Sequence, residues 1–228
     1  MQNVSETIRT VLAERRSTRA FLGRKVPPAL LERILEAASL APSGNNTQPW
    51  TLDVATGAAR ARLLDAIAKQ QSAASPPAEL EYPYYPEIWP EPFLSRRRAL
   101  GWELYDLIGV QRGDREGALA HHNLNLRFFD APVCLIVSVD RRLGAAAYID
   151  VGCFMQSLAL AAVSEGLATC LQAAIAPYHA AVRQALNIDP VQKIICGIAL
   201  GYADAGAQIN ALRSEREAVS TFARFHHD

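Results

Sequence analysis

The chain has 228 residues, half of them hydrophobic, which is enough for one large domain with a substantial core. Lysine and arginine together number 23, as do aspartate and glutamate, so no net charge would draw the chain to nucleic acid or to an anionic membrane. The longest uncharged runs fall short of the ~20 apolar residues of a membrane span, and the N-terminus lacks the basic and apolar pattern of a secretion signal.

The spacing of apolar residues divides the chain into helices and strands. Helices are predicted over 4–16, 27–41, 58–70, 94–108, 114–129, 148–165 and 177–186, and strands over 51–55, 133–139, 167–175 and 191–200. The helix over 148–165 is apolar nearly all round, so we expect it to be buried in the fold or against a partner. Because helices and strands do not alternate regularly, their order favours an α+β fold.

Three arginines crowd the end of the first helix, in the run Arg15-Arg16-Ser17-Thr18-Arg19. Arginine presents a planar fork of donors that suits phosphate or carboxylate. The run therefore predicts an anion site, although a solvated, positively charged helix end would have the same composition.

A polar loop from Ala41 to Trp50 follows the second helix. It combines two prolines and a glycine with the amide side chains of Asn45, Asn46 and Gln48. Such a composition serves a hydrophobic core poorly, but it suits the binding of a flat polar ligand.

The segment 72–93 is rich in proline and aromatic residues, and proline at this density excludes a helix or a central strand. Tyr82, Tyr84, Tyr85 and Trp89 lie between the prolines. The segment is predicted to be either a lid over a substrate or a long surface loop packed on its own aromatic residues.

The four cysteines, Cys134, Cys153, Cys170 and Cys196, are not spaced as a C-x-x-C or zinc motif requires. Each sits in an apolar run, as buried free thiols do, so we expect a cytoplasmic protein. No P-loop, Rossmann glycine motif or serine elbow occurs, and no residue spacing predicts a metal site. An enzyme without an evident base or nucleophile typically relies on an organic cofactor.

Several motifs, spread in order along nearly the whole chain, resemble those of the FMN-dependent nitroreductases, in particular the group acting on nitroaromatic acids and related small aromatics. They are Arg15–Phe21, Ala41–Trp50, Phe129–Val133, Gly166–Cys170, Gly197–Tyr202 and Asn210–Glu217. The resemblance implies one domain over 1–228, with an α+β fold in which helices flank a central, mostly antiparallel sheet. It also implies an intertwined homodimer with two FMN sites at the interface, and a C-terminal arm, 219–228, that crosses to the partner.

The resemblance also assigns cofactor contacts. They are Arg15, Arg16, Ser17, Arg19, Pro42, Ser43, Gly44, Asn46, Gln48, Leu171, Gln172, Ala173, Ala174, Gly201, Arg213 and Arg216. The residues between Ser43 and Gln48 are expected to come from the other subunit. Arg213 and Arg216 are expected at the phosphate, and Arg19 at the pyrimidine edge, where a cation stabilises reduced flavin. Leu171 stands where the family pattern has proline.

The reaction that the resemblance implies is a ping-pong reduction of nitroaromatic or quinone-type molecules. NAD(P)H would give hydride to flavin N5, near the backbone of Ala173 or Ala174, and the substrate would then take it. Trp50, Trp102, Tyr105, Phe128 and the 82–93 loop are candidate substrate contacts, although any single aromatic residue is more often core. The cluster at 96–98 could pair with a substrate carboxylate or simply form a solvated helix face.

Two other interpretations stay open. A flavoenzyme of the same fold could carry out enone reduction, reductive dehalogenation or heterocycle oxidation, and a substrate screen would identify it. A non-catalytic flavin-binding protein would keep its flavin oxidised when NAD(P)H is added.

Overall fold

The computed structural model describes residues 4–73 and 80–227. Its helices are α1 (Val4–Glu14), α2 (Pro28–Ser39), α3 (Gly57–Ser72), α4 (Phe93–Leu107), α5 (Arg115–Leu126), α6 (Ala146–Ser164), α7 (His179–Leu186) and α8 (Val219–Phe222). Its strands are β1 (Trp50–Thr56), β2 (Val133–Asp140), β3 (Ala168–Gln172) and β4 (Gln192–Gly201). Short 3-10 turns lie at Gly44–Asn46, Phe128–Asp130, Ala173–Tyr178 and Gln208–Ala211.

The strands form one sheet in the order β1-β2-β4-β3, and each of its ladders is antiparallel. The α+β prediction with a mostly antiparallel sheet is therefore confirmed. Strands β2 and β4 lie at the centre, as their unbroken apolar runs indicate, while β3 forms an edge.

Helices cover both faces of this sheet. Leu135 and Val137 of β2 pack into a core with α2 and α6, whereas Cys134 and Ile136, which alternate with them, pack into a second core with α3 and α7. Because both faces of the central strands are buried, apolar residues follow one another there without a polar break.

Helix α6 is long and apolar enough, by length and composition alone, to span a membrane. In the fold, however, Val151, Phe154 and Leu158 are buried in the first core. It is a core helix on that side, as predicted, while Ile149 on another side remains 71% exposed.

Most predicted boundaries differ from the structure by a few residues, and two of these differences bear on function. The first helix ends at Glu14, so Arg15 begins an extended segment instead of closing a helix. The strand predicted over 167–175 ends at Gln172, because the chain turns into the 3-10 segment that starts at Ala173. Both differences lie at the site described below.

Gly197 allows the turn after β3 to lie directly on β4. A Cβ atom at this position would be 2.7 Å from Ile175 Cγ1 and 2.9 Å from Phe128 Cε1, both closer than packed carbon atoms approach. The absence of a side chain at Gly197 therefore fixes how deeply the Ala173–Tyr178 turn sits.

Candidate active site

The arginine run pairs with the edge strand β3. The Thr18 N–H donates to the Thr169 carbonyl at 2.9 Å, and Ser17 forms a parallel bridge with Thr169. Further along, the Leu22 N–H donates to the Tyr202 carbonyl at 2.9 Å. The run is thus held extended beside the sheet, and successive side chains point in opposite directions.

Arg15, Arg16, Ser17 and Arg19 of this run line one cavity of about 300 Å³, the arginine cavity. Arg213 and Arg216 also line it, together with Leu12, Ala13, Leu100, Leu212 and Ser214. Thr18, on the opposite side of the run, is buried. Among the described residues that line this cavity there is no carboxylate, so it offers cationic and hydroxyl donors without a counter-charge of its own.

The surroundings of Arg16 disfavour its positive charge. Burial lowers the pKa of Arg16, and the nearby charge of Arg213 lowers it further. The Arg16 Nε atom is buried without a hydrogen-bond partner among the described residues. An anion in the cavity would offset this repulsion and supply acceptors.

Asn210 joins the C-terminal segment to the arginine run. Its side-chain oxygen accepts from the Arg19 N–H at 2.8 Å, and its Nδ2 donates to the Ala20 carbonyl at 2.8 Å and the Asp204 carbonyl at 2.9 Å. Asn210 is only 5% exposed. One buried amide therefore sets how Arg213, three residues further on, lies against the run.

A second cavity of about 480 Å³, the tyrosine cavity, adjoins the first, and Arg19 lines both. Its remaining lining residues are Tyr84, Tyr85, Arg97, His122, Asn125, Cys170, Leu171, Gln172, Ala173, Ala174, Pro177 and Tyr178. The two cavities therefore meet at Arg19, with further arginines lining the first and aromatic rings lining the second.

Gln172, Ala173 and Ala174 form the floor of the tyrosine cavity and carry groups that can bind a ligand by hydrogen bonds. Gln172 is 2% exposed; its Nε2 donates to the Asn125 carbonyl at 2.7 Å, but its Oε1 has no partner among the described residues. Ala173 and Ala174 open a 3-10 turn, and the first N–H groups of such a turn have no acceptor within it. A ligand on this floor can donate to Gln172 and accept from the backbone.

The described part of the 72–93 segment contributes to the wall of the tyrosine cavity; residues 74–79 lie outside the described residues. Tyr84 and Tyr85 line the cavity with ring centroids 4.5 Å apart, and the Trp89 ring, tilted by 55°, lies 5.3 Å from that of Tyr85. Arg97 of α4 lies 5.2 Å from the Trp89 ring centre. Tyr84, Tyr85, Trp89 and Arg97 thus form a chain of contacts along this wall.

Glu81 and Tyr82 anchor this segment to the fold. Glu81 accepts from Arg141 at 2.6 Å, from Arg183 at 3.0 Å and from the Ile194 N–H at 2.9 Å. The Tyr82 hydroxyl donates to the Ile195 carbonyl. The residues that directly precede Tyr84 and Tyr85 in the loop are therefore fixed to the rest of the fold.

Comparison with known proteins identifies the family of this chain. A model described as the Nitroreductase family matches residues 12–202. The chain belongs to the nitroreductase family.

Named relatives of this nitroreductase-family protein match it over nearly its whole length. It is similar to the chloronitrobenzene nitroreductase of Comamonas testosteroni, with 37% identity over 98% of this chain and 99% of the relative. It is equally similar to the 4-nitrobenzoate reductase of Pseudomonas putida, with 37% identity over 99% and 98%. The FMN-dependent nitroreductase from Mycobacterium smegmatis in complex with NADPH shares its fold, with a TM-score of 0.91 and 30% identity over 99% of this chain and 100% of that one.

Most residues that the family pattern assigns to the cofactor come together in the two cavities. Arg15, Arg16, Ser17, Arg19, Arg213 and Arg216 line the arginine cavity, and Leu171, Gln172, Ala173 and Ala174 line the tyrosine cavity. Gly201 lines neither: it is buried, and a Cβ there would be 2.5 Å from Pro132 Cδ. The structure therefore gives Gly201 a packing role.

The polar loop lies apart from both cavities of the same chain. Pro42, Ser43, Gly44, Asn46 and Gln48 line neither, and all but Ser43 are exposed. The Gly44 N–H donates to Asp150 of α6 at 3.1 Å, and the Gln48 N–H donates to the Ser43 hydroxyl at 2.9 Å. Asn46 and Gln48 are held at positive φ, 56° and 46°, a strained backbone common at functional sites.

None of the four aromatic substrate candidates outside the 82–93 loop lines either cavity. Phe128 is wholly buried in the second core, so its prediction as a substrate contact is wrong. Trp50 stacks on Phe154 at 4.9 Å, and Trp102 and Tyr105 lie on α4. The rings that do line the tyrosine cavity are Tyr84 and Tyr85 of the 82–93 loop, together with Tyr178, His122 and Pro177.

Sequence reasoning missed Tyr178, Asn125 and Glu81. Tyr178 closes the 3-10 turn after β3, and only the position of that turn brings it to the cavity. No group of histidine, cysteine, aspartate and glutamate that could hold a metal ion occurs within 4–73 and 80–227.

Replacing Glu81 by glutamine is expected to lower the free energy of unfolding by about 2 kcal/mol at neutral pH, between the values for surface and for buried ion pairs. Burial would raise the pKa of Glu81, but the Ile194 N–H and then Arg141 and Arg183 outweigh burial, so the pKa lies below its ordinary 4.5. The stabilisation is therefore complete above that value and is lost as the pH falls through the lowered pKa.

Urea unfolding of wild type and variant at neutral and acidic pH measures this difference. The two proteins are expected to converge on acidification. Glu87→Gln is the control, because Glu87 is exposed in the same segment. A Glu81→Gln difference that is absent, or that stays constant with pH, would contradict the anchoring role.

Proposed function

We propose that this protein is an FMN-dependent oxidoreductase that reduces small nitroaromatic compounds with NAD(P)H. The observation that supports it most is that Arg19 lines both cavities, one of which is rich in arginine and the other in aromatic rings. The activities named for the relatives from Comamonas testosteroni and Pseudomonas putida are nitroaromatic reductions, and the Mycobacterium smegmatis relative is named as FMN-dependent.

The residues of both cavities fit FMN. A phosphate suits the arginine cavity, where Arg15, Arg213 and Arg216 would hold it by charge-assisted hydrogen bonds and Arg16 would gain a counter-charge. The partnerless Gln172 Oε1 accepts a hydrogen bond, which ribityl hydroxyls and the flavin ring N–H can donate. We propose that the flavin lies along β3, with its ring end in the tyrosine cavity.

When bound, FMN supplies the two-electron carrier that takes hydride from NAD(P)H and gives it to the nitro compound. The residues of the chain position the cofactor and set its electrostatic surroundings. Arg19 supplies positive charge where the two cavities meet, and the N–H groups of Ala173 and Ala174, which have no acceptor within their 3-10 turn, can hold the ring in place. Tyr84 and Tyr85 cover the cavity and limit the access of water.

We further propose that the working molecule is a homodimer. Val4, Ile8 and Leu12 form an apolar row on α1 that is 71%, 54% and 48% exposed, and Phe222 and Phe225 at the C-terminus are each 71% exposed. A soluble monomer rarely leaves such rows uncovered. The partner would cover them, its C-terminal arm would cross over, and its Ser43–Gln48 loop would complete the flavin site.

The buried cysteines support the proposed cytoplasmic location. Cys134, Cys170 and Cys196 are free thiols inside the core. Burial raises the pKa of Cys170 to about 11 even though Arg19 and Ser17 lie close by, so it stays a neutral thiol beside the cavity.

An anaerobic two-step experiment tests the activity. Protein purified with FMN is first mixed with NADPH or NADH and then, after the nicotinamide is removed, with nitrobenzene, a quinone or an enone. We expect the visible flavin band to bleach in the first step and to return fastest with the nitro compound. A flavin that no nicotinamide bleaches would point to a non-catalytic binder, and faster return with an enone or a quinone would overturn the substrate assignment.

A further inference from the structure

We propose that Arg97 makes the tyrosine cavity selective for nitroaromatic compounds that carry a negative charge, such as a carboxylate on the ring. The Arg97 guanidinium would form an ion pair with that group at the cavity wall. The proposal rests on the proposed function, since it names the substrate class of the same site.

The charged side chains that line the tyrosine cavity are positive. They are Arg19 and Arg97, and among the described residues that line it there is no aspartate or glutamate. Tyr84, Tyr85 and Tyr178 provide flat surfaces against which an aromatic ring can pack. An aromatic anion matches both features, whereas the charge of an aromatic cation would be repelled by both arginines.

The three adjacent arginines on α4 have separate surroundings. Arg96 is committed to Glu217, with Nε 2.6 Å from the carboxylate oxygen. Arg98 is exposed and lines none of the cavities. Only Arg97 reaches the tyrosine cavity, and within the described part of the chain it pairs with no carboxylate.

Trp89 keeps Arg97 in place without neutralising it. The guanidinium carbon lies 5.2 Å from the centre of the Trp89 ring, within the range of a cation–π contact. Trp89 in turn contacts the tilted ring of Tyr85, a lining residue of the cavity. The cation is thus attached to the aromatic lid while its donors remain available to an incoming carboxylate.

Arg19 is less suited to this role. It lines the arginine cavity as well, and its Nη1 already donates to the Ser17 carbonyl at 3.3 Å. Its position at the junction fits the proposed flavin, not a substituent of the substrate. Arg97 is therefore the residue that can distinguish a charged from a neutral substrate.

Equilibrium binding tests the proposal without relying on turnover. Benzoate and benzamide have nearly the same shape and differ in charge, and neither is reduced. Each is titrated into the oxidised FMN-loaded protein, and binding is followed by the change in the flavin spectrum. We expect wild type to prefer benzoate by about fivefold, the value of a partly exposed ion pair of about 1 kcal/mol.

Arg97→Gln is expected to abolish this preference, Arg97→Lys to retain part of it, and Arg98→Gln to retain all of it. Added salt should weaken benzoate binding alone. Wild type without a preference, or an Arg97→Gln protein that keeps it, would overturn the proposal.

The ratio of kcat/KM for 4-nitrobenzoate and 4-nitrobenzamide is then expected to follow the binding ratio. The phosphates of NADPH are the other possible source of an anion at Arg97. If Arg97→Gln raised KM for NADPH and left benzoate binding unchanged, Arg97 would belong to nicotinamide binding. Because benzoate binding needs no turnover, a protein that selects benzoate yet reduces no nitro compound would refute the proposed function alone.

Discussion

Replacing Asn210 by alanine is expected to lower the free energy of unfolding by about 3 kcal/mol, because the change removes three hydrogen bonds and leaves buried backbone groups without partners. It should also release Arg213 from its place in the arginine cavity, so FMN should be lost in purification even where the fold survives. Denaturant unfolding and the flavin content of the purified protein measure the two effects.

Asn123→Ala is the matched control for this variant. The Asn123 side-chain oxygen accepts one hydrogen bond, from Gln71 at 2.8 Å, and that bond is exposed. Its loss should change stability by less than about 0.5 kcal/mol. An Asn210→Ala protein with the stability and flavin content of the control would show that Asn210 does not hold the site together.

Replacing Arg15 by alanine is expected to weaken FMN binding by about 10- to 100-fold, as the loss of a hydrogen bond to a charged group implies. Riboflavin, which lacks the phosphate, should bind as it does to wild type. The reason is the position of Arg15 in the arginine cavity, away from the tyrosine cavity. Fluorescence titration of the flavin-free protein with both ligands measures the difference.

Arg9→Ala controls for the loss of a positive charge near the N-terminus, since Arg9 is exposed on α1 and lines neither cavity. It should leave both affinities unchanged. If Arg15→Ala weakened riboflavin and FMN equally, the phosphate would not lie at Arg15, and the cofactor would have to be placed in the opposite direction.

The fold was predictable because its strongest signals are local. The unbroken apolar runs of β2 and β4 marked them as central strands, and the order of elements excluded a regularly alternating fold. The end of β3 was less accessible to sequence reasoning. It depends on the contact of the following turn with Gly197, which lies far away in the sequence.

The cationic half of the site was predictable from composition, since the run from Arg15 to Arg19 is dense enough to stand out. The substrate half was not. Phe128 and Tyr84 are both aromatic residues near turns, and only tertiary packing buries the first and turns the second into the cavity. Asn210 escaped notice as a positioning residue because two of its three partners, Arg19 and Ala20, lie 191 and 190 residues away.

The central claim is that each flavin site is shared between two chains. Mixed dimers test it most directly. One chain carries Arg15→Ala with Arg213→Ala, which removes the arginine cavity, and the other carries Asn46→Ala with Gln48→Ala, which removes the loop. Each variant is first purified alone as a dimer, and both are expected to contain little FMN.

Dimers containing one chain of each kind should regain about one FMN. One of their two sites combines the intact cavity of one chain with the intact loop of the other, while the second site carries both defects. If the site lay within one chain, every site in the mixed dimer would be damaged. Mixed dimers as empty as their parents, or a loop variant that keeps its FMN, would therefore contradict the shared site.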